Sequence, residues 1–135
     1  QDQISYMLEW MYSLPSLEKQ FEEGHRFYLA TEDGVPLGFI SICADKPEKG
    51  DLKIEKLYVK LDQQGKGIGK KLIDYVDVIR KQEGFKRLTL NVNRKNKAYF
   101  FYLKTGFTVA YEEDVHIGNN FWMNDYVMEK EILFF

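Results

Sequence analysis

The stretch Gln64-Gly65-Lys66-Gly67-Ile68-Gly69-Lys70-Lys71 joins a strand-like run, Leu52 to Lys60, directly to a run of helical spacing that begins near Gly67. Three glycines in five positions, followed by two lysines at a helix start, spell a backbone cradle for phosphate. Glycine lets main-chain N–H groups approach an anion closely, and the unbonded N–H groups and positive dipole end of a helix favour negative charge. The cargo expected there is a phosphorylated cofactor. Spacing excludes two common phosphate loops, the Gly-x-x-x-x-Gly-Lys-Ser/Thr loop of nucleoside triphosphatases and the Gly-x-Gly-x-x-Gly dinucleotide fingerprint. Gly69 comes one residue too early for the second, and Lys70 stands where its glycine belongs. What remains is Gln-x-x-Gly-x-Gly.

Outward from the loop, apolar residues set the elements. Leu52 to Val59 reads as the strand that delivers the chain to the glycines, and Ile68, Leu72, Val76 and Ile79 form one apolar stripe of a helix that stops at Gly84. Arg87 to Val92 is the next strand, so a strand, a crossover helix and a strand predict a parallel pair with a right-handed connection. Upstream, Phe27 to Ala30 and Leu37 to Ile42 flank Asp33-Gly34, the signal of a tight hairpin, and Asp45 to Asp51 reads as a solvated loop. Before them, Ile4 to Met11 and the segment from Pro15 to Gly24 carry helical spacing. Downstream, Asn96 to Lys104 is a short aromatic helix, and Phe107 to Val115 with Tyr126 to Ile132 form a final hairpin around Gly118-Asn119-Asn120. The order describes one α/β domain over residues 1–135 with a mixed sheet.

The chain has 135 residues, 44% hydrophobic and 16% aromatic, which suffices for one core. A net charge of −2 argues against a nucleic-acid partner. No run of 18 apolar residues and no signal peptide is present, so no membrane association is expected. The one cysteine, Cys43, excludes an internal disulfide, and a cytoplasmic setting is the default. His25 and His116 lack metal-ligand spacing, and no metal is expected.

A second motif narrows the cofactor. Asn96-Lys97-Ala98-Tyr99-Phe100-Phe101-Tyr102-Leu103-Lys104-Thr105-Gly106-Phe107 has an asparagine and an alanine followed by Tyr-x-Lys-x-Gly-Phe, with four-residue steps from Ala98 to Tyr102 to Gly106. Together with Gln64 to Gly69 it resembles the GNAT superfamily of N-acetyltransferases, from about Phe27 onward, and the ending Asn124 to Lys130 resembles that family's last strand. The helices between Ile4 and Gly24 resemble, more weakly, the substrate side of bacterial polyamine acetyltransferases. The resemblance implies a mostly antiparallel sheet whose central parallel pair splays to hold acetyl-CoA, flanked by helices. Set against the resemblance, the family's first strand and first helix are expected to be absent before Ile4, a domain truncated at its N-terminal side.

The resemblance also implies roles. Main-chain groups of the Leu57-Tyr58-Val59 strand end would hold the pantetheine arm like an added strand. Gln64, Gly65, Lys66, Gly67, Ile68, Gly69 and Lys70 would receive the pyrophosphate, with Asn96, Tyr99 and Lys104 completing the cofactor contacts. Tyr102 is the expected general acid toward the leaving thiolate, against the plain reading of a core tyrosine. Glu55 is the candidate base, because strict alternation along its strand places it on the face of Leu57 and Val59, against the plain reading of a strand-edge carboxylate paired with a lysine and against water relays in place of a dedicated base. The activity implied is acetyl transfer from acetyl-CoA to a primary amine of a small molecule, polyamine or protein. A non-catalytic acyl-CoA sensor on the same fold, and a nucleotide-binding module using only the loop, are the alternatives. Acidic residues such as Glu22, Glu23, Glu112, Glu113 and Asp114 either attract a polyamine or are plain solvated faces, and the apolar ending Ile132-Leu133-Phe134-Phe135 calls for burial against a neighbour, as in a homodimer, or against the same sheet.

Overall fold

The computed structural model describes residues 24–45, 47–119 and 121–131. The helices expected between Ile4 and Gly24, the expectation concerning a first strand and helix, and the apolar ending all fall outside these residues. Six strands and two helices follow in chain order. They are β1 (Arg26–Glu32), β2 (Val35–Ala44), β3 (Asp51–Val59), α1 (Ile68–Gln82), β4 (Arg87–Asn93), α2 (Ala98–Lys104), β5 (Thr108–Gly118) and β6 (Phe121–Glu131). The sheet order is β1-β2-β3-β4-β6-β5, with β3 and β4 parallel and every other neighbouring pair antiparallel. This is the mixed, mostly antiparallel α/β architecture that the sequence implied.

Local chemistry explains the elements. Asp33 and Gly34 both take positive φ, 50° and 79°, which is what a two-residue turn between twisted strands demands. In α1, Leu72, Ile73, Val76 and Ile79 are buried on one stripe, each removing enough apolar surface to contribute about 1.5–3 kcal/mol. They pack on Ile40, Ile42, Leu52, Ile54, Leu88, Leu90 and Met128, so α1 covers one face of the central strands. Gly69 in its first turn lets α2 come close, since a Cβ there would lie 3.1 Å from Phe101 Cζ and 3.6 Å from Val59 Cγ2.

One end of the parallel pair is clamped. Arg87 Nε donates to Asp51 Oδ1 at 2.7 Å, its guanidinium also reaches the Lys49 carbonyl at 2.7 Å, and the N–H groups of Lys86 and Arg87 both donate to the Gly50 carbonyl. The buried Arg80 fixes the helix to the same end, donating to Asp77 Oδ1 at 2.6 Å and to the Lys86 carbonyl at 3.0 Å. Beyond the clamp the strands part. Their pairing runs only through Asp51 opposite Arg87, Leu52 opposite Leu88 and Lys53 opposite Thr89.

Two local expectations need correction. The final hairpin is tighter than expected, because residues 116–118 and 121–125 continue the strands, Gly118 pairs with Phe121, and Asn119 takes φ 50°. Along β3 the alternation breaks. Ile54 lies opposite Ile42 and Lys56 opposite Ser41, so Glu55 is the extra residue of a β-bulge. It therefore does not share a face with Leu57 and Val59, which pack with the core under α1. Glu55 instead accepts a hydrogen bond from Cys43 Sγ at 3.2 Å on the opposite face.

Candidate active site

The site grows from the parting of β3 and β4. Lys60 N–H donates to the Leu37 carbonyl of β2, so by alternation Val59 and Leu57 turn their main-chain groups the other way, into the gap. Gln64 reaches back across the turn, its Nε2 donating to the Val59 carbonyl at 3.1 Å. That bond occupies the carbonyl and makes Gln64 a brace between strand end and loop.

The glycine loop leads into α1. Gly65 and Gly67 take φ of 81° and 82°, and a Cβ on either would meet nothing within 4 Å, so backbone conformation and not crowding calls for glycine. Gly67 caps α1 without a side-chain hydrogen bond, and the first helical bond runs from Lys71 N–H to the Gly67 carbonyl at 3.0 Å. The N–H groups of Ile68, Gly69 and Lys70 consequently have no partner among the described residues. No acidic residue stands in this first turn. Lys66 Nζ lies 3.5 Å from Gln63 Oε1, and Lys70 Nζ bonds Asp74 Oδ2 at 2.7 Å, which leaves two of the Lys70 donors for an anion.

Across the gap, α2 carries the second motif. Asn96 Oδ1 accepts the Ala98 N–H at 2.9 Å and starts the helix, which leaves its amide NH2 open. Tyr99 stacks near Tyr126 at 4.9 Å, and Lys104 is exposed with no ion pair among the described residues. Tyr102 is half-buried between Phe101 and Phe107, with ring centroids 5.4 and 5.9 Å away. Burial pushes its phenol above the ordinary value of 10.0, and no described residue bonds its hydroxyl.

The opposite face of the sheet holds a cleft of about 320 Å³ beside the gap, lined by Lys53, Glu55, Asn91, Asn93, Met123 and Asp125 among others. Glu55 also lies 3.8 Å from Lys53 Nζ, so its carboxylate has a lysine neighbour as well as the Cys43 thiol. Burial first, then Glu55, pushes that thiol up to about 12, which keeps it protonated and unreactive. Potential ligand atoms of His25, Cys43 and Glu55 lie within 4.8 Å of one another, a grouping made by the residue before β1 and by β2 and β3 that sequence spacing cannot display.

Leu57, Val59, Tyr99 and Tyr102 thus pack on the helix-covered face, and Glu55 lies on the other. Asp125 and Asn91 were not anticipated from the sequence. Asn124-Asp125-Tyr126 shows nothing locally that marks its aspartate as buried.

Comparison with known proteins agrees with this geometry. The acetyltransferase (GNAT) domain family matches residues 2–130. The chain is 35% identical over 98 residues, 72% of its length, to the 5-NmdU N-acetyltransferase of Pseudomonas phage PaMx11, and that alignment spans 66% of the phage protein. It is 31% identical over 137 residues to the spermidine N(1)-acetyltransferase of Thermoplasma acidophilum, covering 93% of this chain and 76% of that one. The crystal structure of PaiA N-acetyltransferase from Thermoplasma acidophilum in complex with coenzyme A superposes with a TM-score of 0.69 at 29% identity, over 95% of this chain and 79% of that one. The chain belongs to the GNAT acetyltransferases, acyltransferases that take acetyl-CoA as co-substrate.

Proposed function

We propose that this protein is an acetyl-CoA-dependent N-acetyltransferase that transfers acetyl directly to the primary amine of an aliphatic acceptor. The observation that carries the reading is the gap between β3 and β4, open beside a helix start whose N–H groups at Ile68, Gly69 and Lys70 lack partners. An extended arm fits such a strand edge, and a pyrophosphate fits such a helix start. The likeness to a spermidine N(1)-acetyltransferase supports a polyamine as the first acceptor to try.

Acetyl-CoA supplies an activated acetyl group and a thiolate leaving group, so a nitrogen–carbon bond forms as the carbon–sulfur bond breaks. Leu57 and Val59 orient the arm through the main chain, and the loop from Gly65 to Lys70 holds the phosphates, with Asn96, Tyr99 and Lys104 alongside. Tyr102 gives its proton to the departing sulfur. A free thiol has a reference pKa of about 8.5 and a phenol about 10, so the transfer needs the weakly solvated surroundings that raise the thiolate's basicity. Glu55, at the bulge and against the cleft, takes the proton that the amine loses, directly or through one water.

The test is release of free thiol from acetyl-CoA with a panel of spermidine, simple diamines and lysine-containing peptides. Amine-dependent release with mass-confirmed N-acetyl product supports the reading. Tight acetyl-CoA binding with no turnover of any amine identifies a sensor instead.

A further inference from the structure

We propose that Asp125 is the residue that anchors the acceptor, accepting the ammonium of a cationic amine in the cleft of the helix-free face; this rests on the amine-acetyltransferase reading above. Asp125 is only 2% exposed. One carboxylate oxygen receives Asn91 Nδ2 at a long 3.3 Å, and no described residue bonds the other. No cation among the described residues lies within ion-pair distance of it, whereas the cleft's lysine, Lys53, neighbours Glu55. A buried carboxylate without a counter-charge is costly, because the field of water is lost and nothing replaces it. Such groups persist where a ligand supplies the missing charge.

Position makes the ligand a cation bound for the gap. Asp125 lies opposite Asn93 in the β4–β6 ladder and lines the same 320 Å³ cleft as Glu55, on the far side of the parted strands. Tyr126 and Met128 point to the core beneath the helices, so alternation aims Asp125 away from them, at the face from which an acceptor reaches the gap. With Lys53 beside Glu55, Asp125 is the carboxylate of this cleft left for a ligand's charge, and it selects a protonated aliphatic amine over a neutral hydroxyl acceptor. Asn91 orients the Asp125 carboxylate and adds no charge.

The experiment compares wild type, Asp125→Asn and Asp125→Glu with spermidine and acetyl-CoA. Asparagine keeps the Asn91 contact and removes only the charge. The expected result is a rise in KM for spermidine of about 30-fold or more in Asp125→Asn, the scale of losing one partner of a desolvated charge pair. KM for acetyl-CoA stays unchanged, Asp125→Glu recovers part of the loss, and the melting temperature of Asp125→Asn is equal to or above that of wild type. An unchanged spermidine KM in an active Asp125→Asn enzyme overturns the assignment alone, as does a loss seen only in the acetyl-CoA KM or matched by a fall in melting temperature. A wild-type protein that turns over no amine overturns this assignment and the enzymatic reading together.

Discussion

Gly67 holds φ at 82° at the entrance to α1, where its own N–H and those that follow face outward. A β-branched side chain cannot take that conformation without strain and screens the N–H groups as well. Gly67→Val is therefore expected to abolish coenzyme A binding in calorimetry while the circular dichroism stays that of the wild type. Micromolar binding by the variant would remove the cradle. Tyr102→Phe should lower kcat roughly 10²-fold or more, the usual worth of a positioned acid. Its pH dependence has a fixed sign. Because burial raises the phenol's pKa, Tyr102 remains a proton donor through neutral and mildly alkaline solution, and its contribution disappears only as pH climbs past the raised value. The same shift makes the fold lose stability at high pH, through the interval between the unfolded and folded values. A kcat that titrates away between pH 7 and 9 on account of this residue, seen as a limb absent from Tyr102→Phe, contradicts the assignment.

The elements show what a sequence can and cannot display. The Asp33-Gly34 turn and the stripe of α1 were legible because each is decided within a few neighbouring residues, by φ preference in one case and by a 3.6-residue period in the other. Glu55 was misplaced for the complementary reason. A bulge is a relation between two strands, and the Ser41 and Ile42 partners that define it sit more than ten residues away in the chain. Asp125 was missed because its burial comes from β4 alongside and the cleft beyond. The ends of the last hairpin are not legible because Ile117, Phe121, Trp122 and Met123 are exposed apolar residues, and nothing local distinguishes such residues in a ladder from those in a loop. Within α1 the packing makes a sharp forecast. Ile73 is fully buried, so Ile73→Ala should cost about 2–5 kcal/mol, read as a lower denaturation midpoint with little change in the slope.

At the scale of the molecule, the six strands form two sets of three, β1-β2-β3 and β4-β6-β5, that share ladder bonds only beside the Asp51–Arg87 clamp. Coenzyme A at a hundred times its dissociation constant should raise stability by about 2.7 kcal/mol through mass action alone. Where that stability appears is the more telling measurement. Amides of Leu57 and Val59, turned into the gap, should exchange with solvent quickly in the free protein and slowly with coenzyme A bound; equal rates in the two states would place the arm elsewhere. The seam also governs cooperativity. The core under α1 still joins Ile40, Ile42, Leu52 and Ile54 of one half to Leu88, Leu90 and Met128 of the other, so in the free protein only the strand ends beyond Lys53 and Thr89 should open below the global free energy by native-state exchange. With the cofactor bridging the seam, those ends should be protected to the level of the core, and the co-substrate of the reaction becomes the element that closes the sheet along its whole length.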